Sequence, residues 1–208
     1  MIKNLVFDLG GILFSQEYEK AIRRFEEIGV KNIRDILQPF AQVGFFGDLE
    51  SGRISADEYR QRLSELAGRE LSTEECVYAW KGYVGDMPRR NLKALRQLRS
   101  EGYRLVLLSN TNPFMMMWAM SPEFDGEGHP LSDYFDACYL SYECRLMKPD
   151  AEFFRLVLNR ENIHPDETIF IDDSRQNTDA AQALGIHTLT AKGNAEWVDE
   201  LRDMLDKL

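Results

Sequence analysis

The sequence predicts an α/β fold: a parallel sheet covered by helices on both faces, with one all-helical insert. Three observations carry this. After Pro88, short apolar runs that end in polar clusters alternate with amphipathic stretches, the rhythm of parallel strands joined by crossover helices. One more such run, Leu5-Val6-Phe7, stands near the N-terminus. Between the two, from about Ser15 to Pro88, apolar residues recur only at helical spacing.

Leu5-Val6-Phe7 is the first strand, closed by Asp8-Leu9-Gly10-Gly11. From Glu17 to about Trp80 the spacing of Ile22, Phe25 and Ile28, then of Tyr59, Leu63 and Leu66, predicts three or four helices. Ser72 or Thr73 before Glu74-Glu75 marks a helix start with acids in its first turn. Asn91 to Arg99 is an amphipathic helix with Leu92, Leu95 and Leu98 on one side, and Gly102 is its stop. The second strand, Tyr103 to Leu108, ends at Ser109-Asn110-Thr111-Asn112. Tyr134 to Leu140 is the third strand and Ala151 to Asn159 a helix. The fourth strand, Thr168 to Ile171, ends at Asp172-Asp173-Ser174. A helix over Thr178 to Leu184, a fifth strand over Ile186 to Leu189 and a final helix over Ala195 to Leu208 complete the chain.

At 208 residues the chain can bury a core without disulfides. Its 25 Lys and Arg against 35 Asp and Glu leave a net charge of −10, the wrong sign for a nucleic-acid footprint or an anionic membrane surface. An anionic substrate must then be held by a local device such as a metal. Cys76, Cys138 and Cys144 form no C-x-x-C pair, which predicts a reducing cytoplasm instead of a disulfide framework. No basic leader with a long apolar stretch opens the sequence, and no apolar run reaches the ~18 residues of a membrane helix. Neither nucleic acid nor membrane is expected as a partner. Monomer and homodimer both stay open.

In a parallel sheet the ligand crevice lies at the carboxyl ends of the strands, so Asp8, Ser109 and the Asp172-Asp173 pair are expected to converge at one edge. Each has a chemical and a plain reading. Asp8 is a carboxylate nucleophile for phosphoryl transfer, or a turn residue bonding nearby amides. Asp172 and Asp173 repel one another unless a cation lies among the carboxylates, and Mg²⁺ takes hard oxygen ligands of this kind. Their plain reading is anionic capping of the helix after Ser174. Ser109-Asn110 offers a hydroxyl and amides to phosphate oxygens, or forms an ST-turn. Lys148, before Pro149, is a point charge for phosphate and carboxylate, or a solvated surface lysine.

The order of these pieces is more specific than any one of them. A strand ending in Asp, a helical insert, a strand ending in Ser-Asn, Lys-Pro, and a strand ending in Asp-Asp together resemble the haloacid dehalogenase (HAD) superfamily of hydrolases over the whole chain. Asp8 matches the motif-one nucleophile, Ser109 the motif-two phosphate binder, Lys148 the motif-three lysine and Asp172-Asp173 the motif-four acids. The resemblance implies a Rossmann-like core over residues 1–14 and 89–208, with a four-helix C1 cap over 15–88. It implies a Mg²⁺-dependent phosphatase acting on a small phosphorylated metabolite such as a sugar phosphate, through an aspartyl-phosphate on Asp8. Mg²⁺ would bind Asp8, the carbonyl of Gly10 and Asp173, with Asp172 alongside. Ser109, Asn110 and Lys148 would hold the phosphoryl group.

The sequence also departs from the family. Its phosphatases usually carry a second Asp two residues after the nucleophile, and here that position is Gly10. Losing a general acid costs ~10²–10⁴-fold. Three readings follow: leaving groups that need less protonation, replacement of the acid by a cap residue or water, or a degenerate phosphate-binding module. Sugar-1-phosphatase-like members resemble this chain in having Asp-Leu-Gly in motif one. The metal-independent 2-haloacid dehalogenases also lack the second Asp, but generally do not keep the paired acids. Arg145 stands where relatives often have Gly and is read as solvent-facing. Asn177 either orients the acids or starts a helix. Phe45 to Arg53 is the candidate substrate loop of the cap, with its two Phe residues as cap core and Arg53 as a substrate contact. Met115-Met116-Met117-Trp118 is an adaptable pocket wall or, on the favoured plain reading, core or dimer packing, and His129 is read as a surface residue without a metal-ligand partner.

Overall fold

A computed structural model describes residues 1–38, 43–192, 194 and 197–208. The five strands are β1 (Asn4–Phe7), β2 (Arg104–Ser109), β3 (Ala137–Leu140), β4 (Thr168–Asp172) and β5 (His187–Thr190). They form one parallel sheet in the order β3-β2-β1-β4-β5. Val6 stands beside Val106 on one side and Phe170 on the other, which puts β1 at the centre.

Alternate residues of the central strands feed two apolar layers, as the pleat requires. Val6, Val106, Leu108 and Phe170 pack with Phe153 and Phe154 on one face. Leu5, Phe7, Leu107 and Ile171 pack with Leu95 and Trp197 on the other. Both faces are buried, so these strands read as continuous apolar runs.

The insert between β1 and β2 holds α1 (Tyr18–Glu27), α2 (Ile33–Ile36), α3 (Gly44–Glu50), α4 (Ala56–Ala67) and α5 (Thr73–Trp80), then a 3₁₀ turn over Lys81–Tyr83. It contains no strand among the described residues, as expected. The expected Ser72 start is a capping box: Ser72 Oγ accepts from Glu75 N, and Glu75 Oε2 accepts from Ser72 N. The segment from Phe45 to Arg53, read as a loop, is mainly α3. Phe46 is fully buried against Phe25, Tyr59 and Trp80.

The remaining helices are α6 (Arg89–Ser100), α7 (Pro113–Ala119), α8 (Ser141–Cys144), α9 (Ala151–Glu161), α10 (Arg175–Gln182) and α11 (Trp197–Leu205). The Met115–Trp118 run lies in α7, which Asn112 caps by accepting from the amides of Phe114 and Met115. The third strand is shorter than its apolar run because Leu131–Asp133 is a 3₁₀ turn, and Tyr134 and Phe135 are buried before β3 begins. The final helix starts at Trp197, and the expected start at Ala195 lies outside the described residues.

His129 does have neighbours at metal-ligand distance, contrary to expectation: ligand atoms of Asp125, Glu127 and His129 lie within 4.8 Å of one another, and His129 Nδ1 is 2.8 Å from Asp125 Oδ2. Arg145 is exposed at φ 55°, a conformation that favours glycine. All three cysteines are free thiols. No helix among the described residues is long and apolar enough to cross a membrane.

Candidate active site

The carboxyl ends of β1, β2 and β4 carry the chemistry. Asp8 leaves β1 with its amide donating to Ile171 O at 2.9 Å, which fixes it beside the end of β4. Lys148 arrives from the loop between α8 and α9, with its side chain 1% exposed. Its Nζ lies 2.9 Å from Asp8 Oδ1 and 2.7 Å from Asp172 Oδ2. Burial alone would lower the Lys148 pKa, but Asp172 and Asp8 outweigh it and raise it. Burial raises Asp8; Lys148 pulls it down and Asp172 pushes it further up.

Asp172 is fully buried and fully used. Besides Lys148 it accepts from Ser174 N at 2.8 Å and from Asn177 Nδ2 at 3.1 Å to each oxygen. Asn177, left open by the sequence, therefore orients the acid. Asp173 is exposed as a residue, but its carboxyl turns into the partly desolvated strand-end cleft, and that desolvation and the neighbouring Asp172 raise its pKa. Gly11, at φ +76°, lets the chain pass under Asp173: a Cβ there would lie 2.1 Å from Asp173 Oδ2.

Oxygen atoms of Asp8, Asp172 and Asp173 all lie within 4.8 Å of one another. Three carboxylates face one ammonium, so the donor set is hard, oxygen-rich and short of positive charge. It fits Mg²⁺, which prefers such ligands and keeps open positions for phosphate and water.

A cavity of about 210 Å³ opens beside Asp8, lined by Gly10, Ser109 and Asn110 from the sheet side and by Trp80 and Tyr83 from the insert. Ser109 ends β2 and is buried. The Asn110 side chain does not point into the cavity as a phosphate ligand. Its Nδ2 donates to Lys148 O and its Oδ1 accepts from Lys148 N, each at 2.9 Å, so it holds the lysine's backbone. Arg53 does not line the cavity either. It is exposed and paired with Asp48 at 2.7 Å, because the turn after α3 carries it outward.

Several lining residues escaped the sequence reading, among them Gln16, Glu50, Trp80 and Tyr83. Glu50 lay inside the segment singled out as a loop. Read as a helix, Phe46 and Glu50 stand at i and i+4 on one face, and the buried Phe46 gives that face away.

Residues 2–185 match the model of the haloacid dehalogenase-like hydrolases. The chain belongs to this family. Among curated relatives of the HAD-like hydrolase, the D-ribitol-5-phosphate phosphatase of Bacteroides thetaiotaomicron is 42% identical over 99% of this chain and 100% of its own length. A predicted HAD-like family hydrolase from Porphyromonas gingivalis superposes with TM-score 0.89 at 39% identity, covering 99% of this chain and 98% of that one. A HAD family enzyme of Bacteroides thetaiotaomicron, solved with magnesium and inorganic phosphate, superposes with TM-score 0.86 at 38% identity, covering 97% of this chain and all of that one.

Proposed function

We propose that this HAD-like hydrolase is a Mg²⁺-dependent phosphatase for the phosphate ester of a small sugar or sugar alcohol. The observation that carries this is Lys148 Nζ held between Asp8 and Asp172, with three carboxylates gathered at the strand ends. The ribitol-5-phosphate phosphatase relative, similar end to end, favours a primary alkyl ester as substrate.

Asp8 attacks phosphorus in line and forms an aspartyl-phosphate, which water then hydrolyses. Lys148 neutralises charge on the nucleophile and on the phosphoryl oxygens. Ser109 Oγ and the backbone amide of Asn110 hold those oxygens, while the Asn110 side chain keeps Lys148 in place. Asp8, the Gly10 carbonyl and Asp173 would hold Mg²⁺, which supplies positive charge at the transferring group. Asp172 orients Lys148. Residues 15–88 act as a cap that selects the substrate, with Trp80 and Tyr83 closing the cavity. The free thiols and the acidic surface suit a reducing cytoplasm.

The test is phosphate release from a panel of sugar, sugar-alcohol, acyl and aryl phosphates, with Mg²⁺ and with chelator. Metal-dependent release that disappears in Asp8→Asn is the expected result. Wild-type turnover by Asp8→Asn would remove Asp8 as nucleophile, and halide release without metal would replace the phosphatase reading.

A further inference from the structure

A primary alkyl ester leaves as an alkoxide unless it is protonated, and position 10 has no side chain to protonate it. The space at position 10 is also taken. A Cβ on Gly10 would lie 2.7 Å from Gln16 Nε2, and an amide is no acid. The ester oxygen departs in line, away from Asp8 and into the cavity. Among the described residues, the lining groups that can carry an exchangeable charge are Asp8, Glu50, Tyr83 and Lys148. Asp8 is committed as nucleophile. Lys148 is locked between two carboxylates. The Tyr83 hydroxyl donates to Gln38 O at 2.9 Å. Glu50, at the end of α3, remains.

We propose that Glu50 is the general acid and base of the reaction, doing from the insert what position 10 cannot do from the strand end. This rests on the phosphatase reading above. Two contacts and one tight turn hold Glu50 at the cavity. Ser141 Oγ, at the start of α8, donates to Glu50 O at 2.6 Å and accepts from Thr111 N at 2.9 Å, so it ties α3 to the chain beyond β2. Gly52 sits at φ +67° so close to the same region that a Cβ would lie 2.1 Å from Tyr142 O. Asn112 spends its Oδ1 on two backbone amides, which leaves its Nδ2 for the Glu50 carboxyl. Burial pushes that carboxyl up to about 8, with the Asn112 bond pulling the other way. Glu50 therefore carries a proton at neutral pH, as a donor must.

In the first step the bond from Asp8 Oδ to phosphorus forms and the ester P–O bond breaks. The Glu50 proton moves to the departing oxygen, giving the free alcohol and a Glu50 carboxylate. In the second step water attacks phosphorus and gives a proton to Glu50. The Asp8–phosphorus bond breaks, releasing inorganic phosphate and restoring both side chains.

Leaving-group dependence tests this. Glu50→Gln should lower the single-turnover rate on a pentitol 5-phosphate by ~10²–10⁴-fold, the usual worth of a general acid. The loss on 4-nitrophenyl phosphate, whose leaving group needs no proton, should be under ~10-fold. The same variant should show a burst of 4-nitrophenolate, because hydrolysis of the aspartyl-phosphate has lost its base. Equal losses on both esters, no loss on either, or a raised KM with kcat intact would each overturn the proposal and leave Glu50 a binding or packing residue. If Glu50→Gln does not fold, the wild type decides. Its first-step rate should be nearly flat across esters of rising leaving-group pKa, and a steep fall would count against Glu50. A wild type inert towards every ester with Mg²⁺ present would instead defeat the phosphatase reading itself.

Discussion

Lys148 is one cation among three carboxylates, and the spacing of those carboxylates depends on a missing side chain. Asp173 Oδ2 occupies the place where a Cβ on Gly11 would stand, and Gly11 also holds φ +76°. Gly11→Ala must therefore push Asp173 out of the oxygen cluster and strain the turn. The expected result is a loss of ~10–100-fold in Mg²⁺ affinity, the size seen when groups that orient metal ligands are removed. It is read as a shift of the Mg²⁺ concentration that half-activates the enzyme, and an unshifted curve would show that Asp173 is no ligand. The acids themselves were legible because a charge directly after a buried apolar run has few structural uses. Arg53 was misread, and the Asn110 side chain is spoken for, for one reason. Sequence position places a residue at the crevice but does not say whether a neighbour has already claimed its side chain, as the Lys148 backbone claims Asn110 and Asp48 claims Arg53.

Among the elements, the strands were the most legible, since both faces of the sheet are buried and each strand is an unbroken apolar run. The short helices were not. In α3 a seven-residue stretch with two glycines carries too little periodicity to stand out from a loop. The segment between α7 and β3 shows the same limit. Its Gly, Pro and acidic residues read as plain surface, yet Asp125 is a buried staple. Its carboxylate accepts from Glu127 N at 2.7 Å, His129 N at 3.0 Å and Tyr134 Oη at 2.7 Å, and lies 3.6 Å from Arg96 Nη2. Removing it strands several donors at once. Asp125→Ala is expected to cost about 2–4 kcal/mol by thermal or urea denaturation, from hydrogen bonds to a charged group and the donors left unpaired. Turnover at low temperature should survive, because no residue of this segment lines the cavity. A loss of activity without a loss of stability would show that the segment reaches the substrate.

Across the whole molecule, the strand order brings together residues 164 positions apart in sequence, from Asp8 to Asp172. The insert is carried on two segments that pass antiparallel, with Gln16 bridged to Val84 and the Ser15 amide donating to Asp86 O at 2.8 Å. Hydrophobic pattern alone predicts the sheet and the insert. It does not predict how the insert docks, which is why Glu50 and Gln16 stayed hidden while Asp8 did not. Docking has a consequence for stability against pH. Burial in the docked cavity raises the Glu50 carboxyl to about 8, whereas an unfolded glutamate ionises near 4.3. Between about pH 4.3 and 8 the folded chain holds a proton that the unfolded chain has lost, so the free energy of unfolding falls as pH rises through that window. Asp125 acts in the opposite direction. Although burial opposes it, hydrogen bonds from His129, Tyr134 and Glu127 hold its carboxyl below the usual range. Its contribution is present above about pH 4 and lost below it. Metal-free protein should therefore melt highest near pH 5 and progressively lower towards pH 8.5. In Glu50→Gln the alkaline fall should lessen without vanishing, because burial also raises the Asp8 carboxyl, while the acid fall stays. Calorimetric scans in chelator at several pH values read both limbs. A wild type whose Tm is level or rising from pH 5 to 8.5, or a variant with the same alkaline slope as wild type, would show that Glu50 is not held in a desolvated cavity.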